Sequence, residues 1–283
     1  MLVFFSYLFY FIAASASPLQ RRYLAHKKDV NGEGRINLAF RTMLFLVFGS
    51  LFFPLFSPFY ISGNVWHLIL LSLICGISGM GFFILTFISQ KHVDGGITSV
   101  VSNIYTPITI VLASIFLHES LSMMQILGTV LLLIGMFIVS KKHRIGRFSF
   151  DKYFMMMLLG GVLLGFVLVA ERSLMKMTGF SAGIALSWWS QCLFLGIAVL
   201  VAKSKNTYSS KDINISGILQ LLASISYVVL INIVGNLSVV SAVTTFKIVI
   251  VFIAAAIFLN EREDFKRKLI GSLIALLGLL IMK

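Results

Sequence analysis

Long apolar runs, separated by short polar connections, recur along the whole length of this 283-residue chain. Each run is roughly 20 residues long, the length at which an α-helix crosses about 30 Å of hydrocarbon. Polar and apolar residues do not alternate within the runs, as they would in a membrane-spanning β-strand. The pattern predicts an all-α integral membrane protein with about ten transmembrane helices. The runs lie near residues 2–17, 38–57, 66–88, 96–117, 121–140, 153–171, 181–202, 214–233, 237–259 and 268–282.

Composition agrees with a membrane environment, since 59% of the residues are hydrophobic, 12% are charged and the mean hydropathy is +1.00. A soluble domain has about 25% charged residues. The two cysteines lie inside apolar runs, without the spacing of a redox or zinc motif. One GxSxG pattern, at Gly179–Gly183, lacks the strand–turn–helix context of a nucleophile elbow. We therefore expect no enzymatic activity and no bound cofactor or metal.

The net charge of +13 is distributed according to topology. Of the 23 lysines and arginines, 19 lie in alternate connections between the apolar runs. The positive-inside rule places these connections in the cytoplasm and both termini outside, in a plasma or inner membrane. Basic residues in such connections contact anionic lipid head groups, so we expect the lipid bilayer, and no nucleic acid, as their partner.

An internal repeat relates the two halves of the chain. The stretch "SVVSNIYTPITIVLASIFLHE" (Ser99–Glu119) aligns without gaps with "SAVTTFKIVIVFIAAAIFLNE" (Ser241–Glu261), 142 residues later. Two glycines spaced by seven follow each stretch. Residues 1–140 and 141–283 are therefore predicted to be two repeats of five helices each. An odd number of helices gives the two repeats opposite orientations in the membrane, an arrangement found in many secondary transporters.

Each half ends with a helix, a short turn carrying glutamate, and a helix with glycines at seven-residue spacing: "LASIFLHESLSMMQILGTVLLLIG" and "AAAIFLNEREDFKRKLIGSLIALLG". In these features the chain resembles the drug/metabolite transporter (DMT) superfamily, EamA type, over essentially its whole length. The resemblance implies ten helices in two inverted five-helix repeats. It also implies a central cavity, lined partly by the fourth and ninth helices, and transport of small metabolites. The first run departs from the family in lacking the frequent Trp-Gly pair.

A single lysine lies in the ninth apolar run. An ammonium group in hydrocarbon costs about 3 kcal/mol or more, so such a lysine indicates a specific role. By helix rise it lies close to the membrane midplane, and Tyr105 occupies the aligned position in the fourth run. We predict substrate binding by Lys247, Tyr105, Asn103, Thr244 and Thr245. Two alternatives for the lysine are a structural ion pair and snorkelling to the lipid interface.

The carboxylates indicate the charge of the substrate. All ten are predicted to lie in connections or at helix ends, including Glu171 at the outer end of the sixth run. A central cation without a central acid favours a substrate that is anionic or zwitterionic. We therefore predict a secondary-type transporter of a small metabolite that works by alternating access. The alternatives are a flippase for lipids or lipid-linked precursors and a non-transporting membrane scaffold; the sequence also leaves a homodimer open.

Further expectations concern two tryptophans, one proline and two glutamates. Trp188 and Trp189 are typical of an interfacial belt or of helix packing, with a cavity wall as the alternative. Pro107 removes one backbone hydrogen bond of the fourth helix, and it predicts a bend there. Glu119 and Glu261 are predicted to stabilise the turns in which they lie, with substrate contact as the alternative.

Overall fold

The structure is a computed structural model, and all the regular structure of its described residues is helical. It describes residues 2–27, 34–117, 122–140, 152–234, 240, 244, 247–260 and 264–281. The helices are α1 (Leu2–Lys27), α2 (Arg35–Ser50), α3 (Val65–Ser89), α4 (Gly95–Ser102), α5 (Tyr105–Leu117), α6 (Met123–Ser140), α7 (Lys152–Val201), α8 (Ser210–Val234), α9 (Lys247–Phe258) and α10 (Phe265–Ile281). A short 3-10 helix, Phe53–Leu55, follows α2.

Every predicted apolar run contains α-helix among its described residues, so the all-α membrane prediction is confirmed. Five segments of the described residues are long and apolar enough to cross a membrane: Val3–Ala25, Arg35–Leu55, Val65–Ser89, Lys152–Val201 and Ser210–Val234. The number of crossings and the inverted repeat stay predictions. Glu119 and Glu261 lie outside the described residues.

Helix α1 is longer than its apolar run. It continues ten residues beyond the predicted end and includes Arg21 and Arg22, which were expected in a connection. Both arginines are enclosed by neighbouring helices, and the side chain of Arg22 is only 8% exposed. The run ended early because hydropathy measures composition, whereas a helix continues for as long as its backbone bonds are made.

Helix α7 spans 50 residues, which is about 75 Å of helix and too long for one crossing. Its backbone leaves the helical conformation at Gly179, where φ is +78°. Positive φ strains any residue with a Cβ atom, which accounts for glycine at this position. A side-chain hydrogen bond joins Ser187 to Glu171, whereas 16 residues of continuous helix would separate them by about 24 Å. The chain therefore reverses at Gly179, and α7 consists of two limbs, 152–178 and 180–201.

The fourth apolar run is broken into α4 and α5 at residues 103 and 104. Pro107 lies in the first turn of α5, where its missing N–H group would have bonded to the carbonyl of residue 103. The break lies one turn before the proline, and the predicted bend is present. Asn103 is fully buried at this break, where its amide donates to the carbonyl of Ser99.

Helices α6 and α10 pack closely along the glycines of the repeat. A methyl group on Gly135 would lie 2.5 Å from the carbonyl oxygen of Gly271. A methyl group on Gly278 would lie 2.5 Å from the carbonyl oxygen of Gly128. Only glycine allows such an approach of two backbones, as in the small-residue interfaces of other membrane helices.

Candidate substrate cavity

A cavity of about 240 Å³ lies at the centre of the helices. Side chains from α1, α2, α3, α4, α5, α7, α8 and α9 line it, and they include hydroxyl, amide and charged groups as well as aromatic rings. Polar side chains are costly among apolar helices unless they face a partner or water. Their convergence on one cavity therefore indicates a place where a polar solute can be accommodated.

Lys247, the first residue of α9, is half-buried and lines this cavity. Its Nζ donates a hydrogen bond to the hydroxyl of Tyr10 over 3.0 Å. The same nitrogen lies 5.6 Å from the ring centre of Tyr10 and 5.9 Å from that of Tyr105. Aromatic faces attract cations at these distances. The lysine therefore faces inward, in a polar and aromatic environment, and does not snorkel to the lipid interface.

The other four predicted site residues are placed differently. Tyr105 lines the cavity beside Lys247. Thr244 is fully buried and hydrogen-bonds with Tyr10, so it supports a residue of the cavity wall. Asn103 is buried at the break between α4 and α5, and it is not among the side chains that line the cavity. Thr245 lies outside the described residues.

Glu171 is the principal residue that the sequence reasoning missed. It lines the cavity, is 8% exposed and accepts a hydrogen bond from the hydroxyl of Ser187 over 2.6 Å. The expectation that all carboxylates lie at helix ends or in connections is therefore wrong. The sixth predicted apolar run ends at residue 171 because charged residues follow it. The helical limb, however, continues to residue 178. Seven residues of helix place Glu171 about 10 Å inward from the reversal.

Arg21 also lines the cavity, and sequence reasoning assigned it to a connection. Its guanidinium lies 4.6 Å from the ring centre of Phe87 and donates to the side-chain oxygen of Gln220 over 3.4 Å. Trp188 forms part of the cavity wall, whereas Trp189 is 41% exposed on the outer surface. The two tryptophans therefore have different environments, one in the cavity wall and one on the outer surface.

A partly buried cluster of charges lies next to one end of the cavity. The carboxylate of Asp94 pairs with Arg22 over 3.2 Å and with Lys268 over 2.6 Å. Arg22 also donates to the backbone carbonyl of Gln90, whose side chain lines the cavity. Asp94 lies directly before α4, and its carboxylate links α1 to α10 through these two ion pairs.

Among the described residues, three charged side chains therefore line one cavity: the cations Lys247 and Arg21 and the anion Glu171. Apolar helices around such a polar, charged cavity define a multi-pass membrane transport protein. Comparison with known families supports this class, because residues 1–141 match the profile of the EamA-like transporter family. Residues 1–141 therefore belong to the EamA-like transporter family, in agreement with the resemblance to the drug/metabolite transporter superfamily. No curated protein sequence matches the chain.

Proposed function

We propose that this protein moves a small metabolite with an acidic group across the membrane by alternating access. The acidic group, a carboxylate or a phosphate, binds to Lys247. The observation that carries the proposal is the position of this lysine in the wall of a cavity that hydroxyl and amide side chains also line. Among the described residues, its contacts are a hydroxyl and two aromatic rings, and no carboxylate pairs with it.

The energetics favour an acidic ligand. A cation removed from water is destabilised by several kcal/mol unless an anion or a set of hydrogen bonds compensates. A phenol and two ring faces compensate only in part, since cation–π contacts are worth about 0.5–2 kcal/mol. A bound carboxylate or phosphate would complete the coordination of Lys247, and the remaining hydroxyl groups of the cavity would bind its other oxygens.

Alternating access requires two halves that move against each other, and we propose the division into residues 1–140 and 141–283. The two limbs of α7 count as two crossings and α4 with α5 as one, which gives ten crossings in two sets of five. The pairing of α6 with α10 supports an inverted repeat. In the sequence alignment Gly128 corresponds to Gly271 and Gly135 to Gly278, while in the structure Gly128 meets Gly278 and Gly135 meets Gly271. Such reciprocal pairing is the mark of a twofold axis.

The helix pairs outside this interface also support the proposed symmetry. Helix α1 packs on α8, and the corresponding pair is the first limb of α7 with α3, which also pack. Helix α5 packs on α7, and its counterpart, α9 on α1, is present as well. These pairings support a central site between the repeats, as in other inverted-repeat transporters.

The proposal is tested by ligand-dependent thermal stability of the purified protein in detergent. A panel of anionic, zwitterionic and cationic metabolites is screened against the wild type, Lys247→Met and Lys176→Met. The last variant makes the same chemical change at an exposed lysine. Binding to the folded state raises the melting temperature, so compounds with an acidic group should stabilise the wild type and Lys176→Met. Lys247→Met should lose that stabilisation.

Transport of the same compounds into proteoliposomes then distinguishes a carrier from a binding protein. Equal stabilisation of Lys247→Met and the wild type would show that the lysine does not anchor the substrate. Movement of a fluorescent phospholipid between the leaflets, with no uptake of soluble metabolites, would replace the carrier by a flippase. The cavity itself argues against a scaffold without a transport pathway.

A further inference from the structure

We propose that Glu171 binds an ammonium group of the substrate, and that the transported metabolite is therefore a zwitterion with an amino group and an acidic group. The inference rests on the proposed function, since it adds a second contact at the same cavity. It narrows the substrate from compounds with an acidic group to compounds that carry both charges.

The hydrogen bonds around Glu171 support its charged form. Ser187 donates its only hydroxyl proton to the carboxylate over 2.6 Å. The oxygen of that hydroxyl accepts from the side-chain amide of Gln191 over 3.0 Å. The chain of donors thus runs from Gln191 through Ser187 to Glu171 and ends on an acceptor. A carboxylate is stabilised by this arrangement because hydrogen bonds to an ionised acceptor are about twice as strong as neutral ones.

Glu171 lacks a cationic partner in the described part of the chain. No ion pair joins it to a basic side chain, although it is more than nine-tenths buried. A single hydroxyl does not compensate for the transfer of a carboxylate out of water. A cationic group that enters the cavity would complete the coordination of this carboxylate.

Lys247 and Glu171 line the same cavity but do not pair with each other in the described structure. They come from two different helices, α9 and the first limb of α7. Direct pairing would satisfy both charges and leave nothing for a ligand. Two separated charges of opposite sign instead match one small molecule that carries a cation at one end and an anion at the other.

The third charge of the cavity does not change this match. Arg21 donates a hydrogen bond to Gln220 and lies against the ring of Phe87. These contacts partly compensate its positive charge. Its positive charge reinforces the preference for an acidic group on the substrate. It offers nothing to an ammonium group, which leaves Glu171 as the anion that faces the cavity.

The experiment compares three matched probes on the full-length protein. Leucine carries both groups, 4-methylpentanoate lacks the amine, and 3-methylbutylamine lacks the acid; equivalent triplets are made for amino acids of other sizes. Dissociation constants are taken from thermal shifts in detergent for the wild type, Glu171→Gln and Glu171→Asp. Glutamine keeps an oxygen that accepts from Ser187 but removes the charge.

We expect at least one zwitterion to bind the wild type about ten- to a hundredfold more tightly than its acid-only analogue, the range for a charged hydrogen bond. The Glu171→Gln variant should bind the zwitterion and its acid-only analogue equally. The Glu171→Asp variant should again bind the zwitterion more tightly. The comparison of probes on the wild type stands even if a variant does not fold.

Two results would overturn the inference. The first is equal binding of zwitterions and acid-only analogues by the wild type, or no binding of zwitterions at all. The second is an unchanged preference for zwitterions in Glu171→Gln. If either result is found while acid-only compounds bind the wild type and not Lys247→Met, the proposed function stands and only the inference fails. If no compound depends on Lys247, the proposed function fails as well.

Discussion

The cavity of this protein shows how the environment of single side chains determines what they can do. Lys247 could be identified from the sequence because a cation inside a long apolar run is costly. Its main partner, Tyr10, could not, since it lies 237 residues away among other aromatic residues of the first run. Tyrosine in an apolar run also occurs for packing alone, so no local pattern marks this one.

Glu171 and Arg21 show the limit of the sequence reasoning at this scale. Both were placed outside the membrane core because each adjoins other charged residues, which lowers the local hydropathy. In the structure each lies on a helix that continues past those charges. Hydropathy reports the mean composition of a window, whereas the position of one side chain depends on which face of the helix it occupies.

The contact between Lys247 and Tyr10 predicts a measurable coupling. We expect Tyr10→Phe to lower the free energy of unfolding by about 1 kcal/mol, because the ammonium loses a hydrogen-bond acceptor in a partly wet cavity. A double-mutant cycle of Tyr10→Phe with Lys247→Met should give a coupling energy of similar size. The free energies come from denaturant titration in detergent micelles.

The matched control for this cycle replaces Lys247→Met by Lys176→Met, at an exposed lysine. There the two changes should be additive. A coupling near zero in the test cycle would mean that the hydrogen bond does not stabilise the folded protein.

At the scale of helices, the positions of the apolar segments could be predicted well and their ends less well. The reversal at Gly179 falls between two predicted runs, and a glycine with positive φ is the residue that such a turn requires. The bend at Pro107 was also predictable, because the missing N–H group is a property of the residue itself. The extension of α1 was not, since the basic residues after the first run are typical of a connection.

The interface between α6 and α10 predicts opposite effects for two glycine substitutions. Gly135→Ala should destabilise the protein by about 1–3 kcal/mol, because the new methyl group meets the backbone of α10, which cannot move without displacing the helix. Gly196→Ala should be near neutral or stabilising, because its methyl group meets the ring edge of Phe40 at 3.2 Å and alanine favours the helix by up to about 1 kcal/mol. Melting temperatures in detergent measure both.

If Gly135→Ala and Gly196→Ala had equal effects, helix propensity and not close packing would decide stability at these sites. A loss of stability for Gly278→Ala, with a magnitude like that of Gly135→Ala, would further support the reciprocal pairing of the repeat.

At the scale of the whole molecule, the sequence predicts the membrane environment better than it predicts how the helices are arranged. Apolar runs of membrane length identify the fold class, but lipid tails are as apolar as the faces of the helices. Hydrophobicity therefore does not say which helix meets which. The repeat supplies part of that information, because the spaced glycines of each half mark surfaces that allow close contact.

The charge asymmetry of the connections predicts the orientation of the chain. A cysteine introduced at Lys205 should be labelled differently from one introduced at Lys176. Both positions are exposed, but the first belongs to a connection predicted to be inside and the second to one predicted to be outside. An impermeant maleimide should label Lys176→Cys in intact cells and Lys205→Cys only after permeabilisation. The unsubstituted protein is the control, since Cys75 and Cys192 are buried. The reverse pattern would place both termini in the cytoplasm.

The cluster of Arg22, Asp94 and Lys268 makes the two ends of the molecule energetically unequal. In the second half the residue aligned with Asp94 is Asn236, which cannot bridge two cations. Under alternating access, opening the end near this cluster would separate these paired charges. Each 1.4 kcal/mol that the cluster contributes would shift the resting population about tenfold toward the conformation closed at this end. Between transport cycles the protein would wait with its cavity accessible mainly from the opposite side, so the first encounter with substrate would occur there.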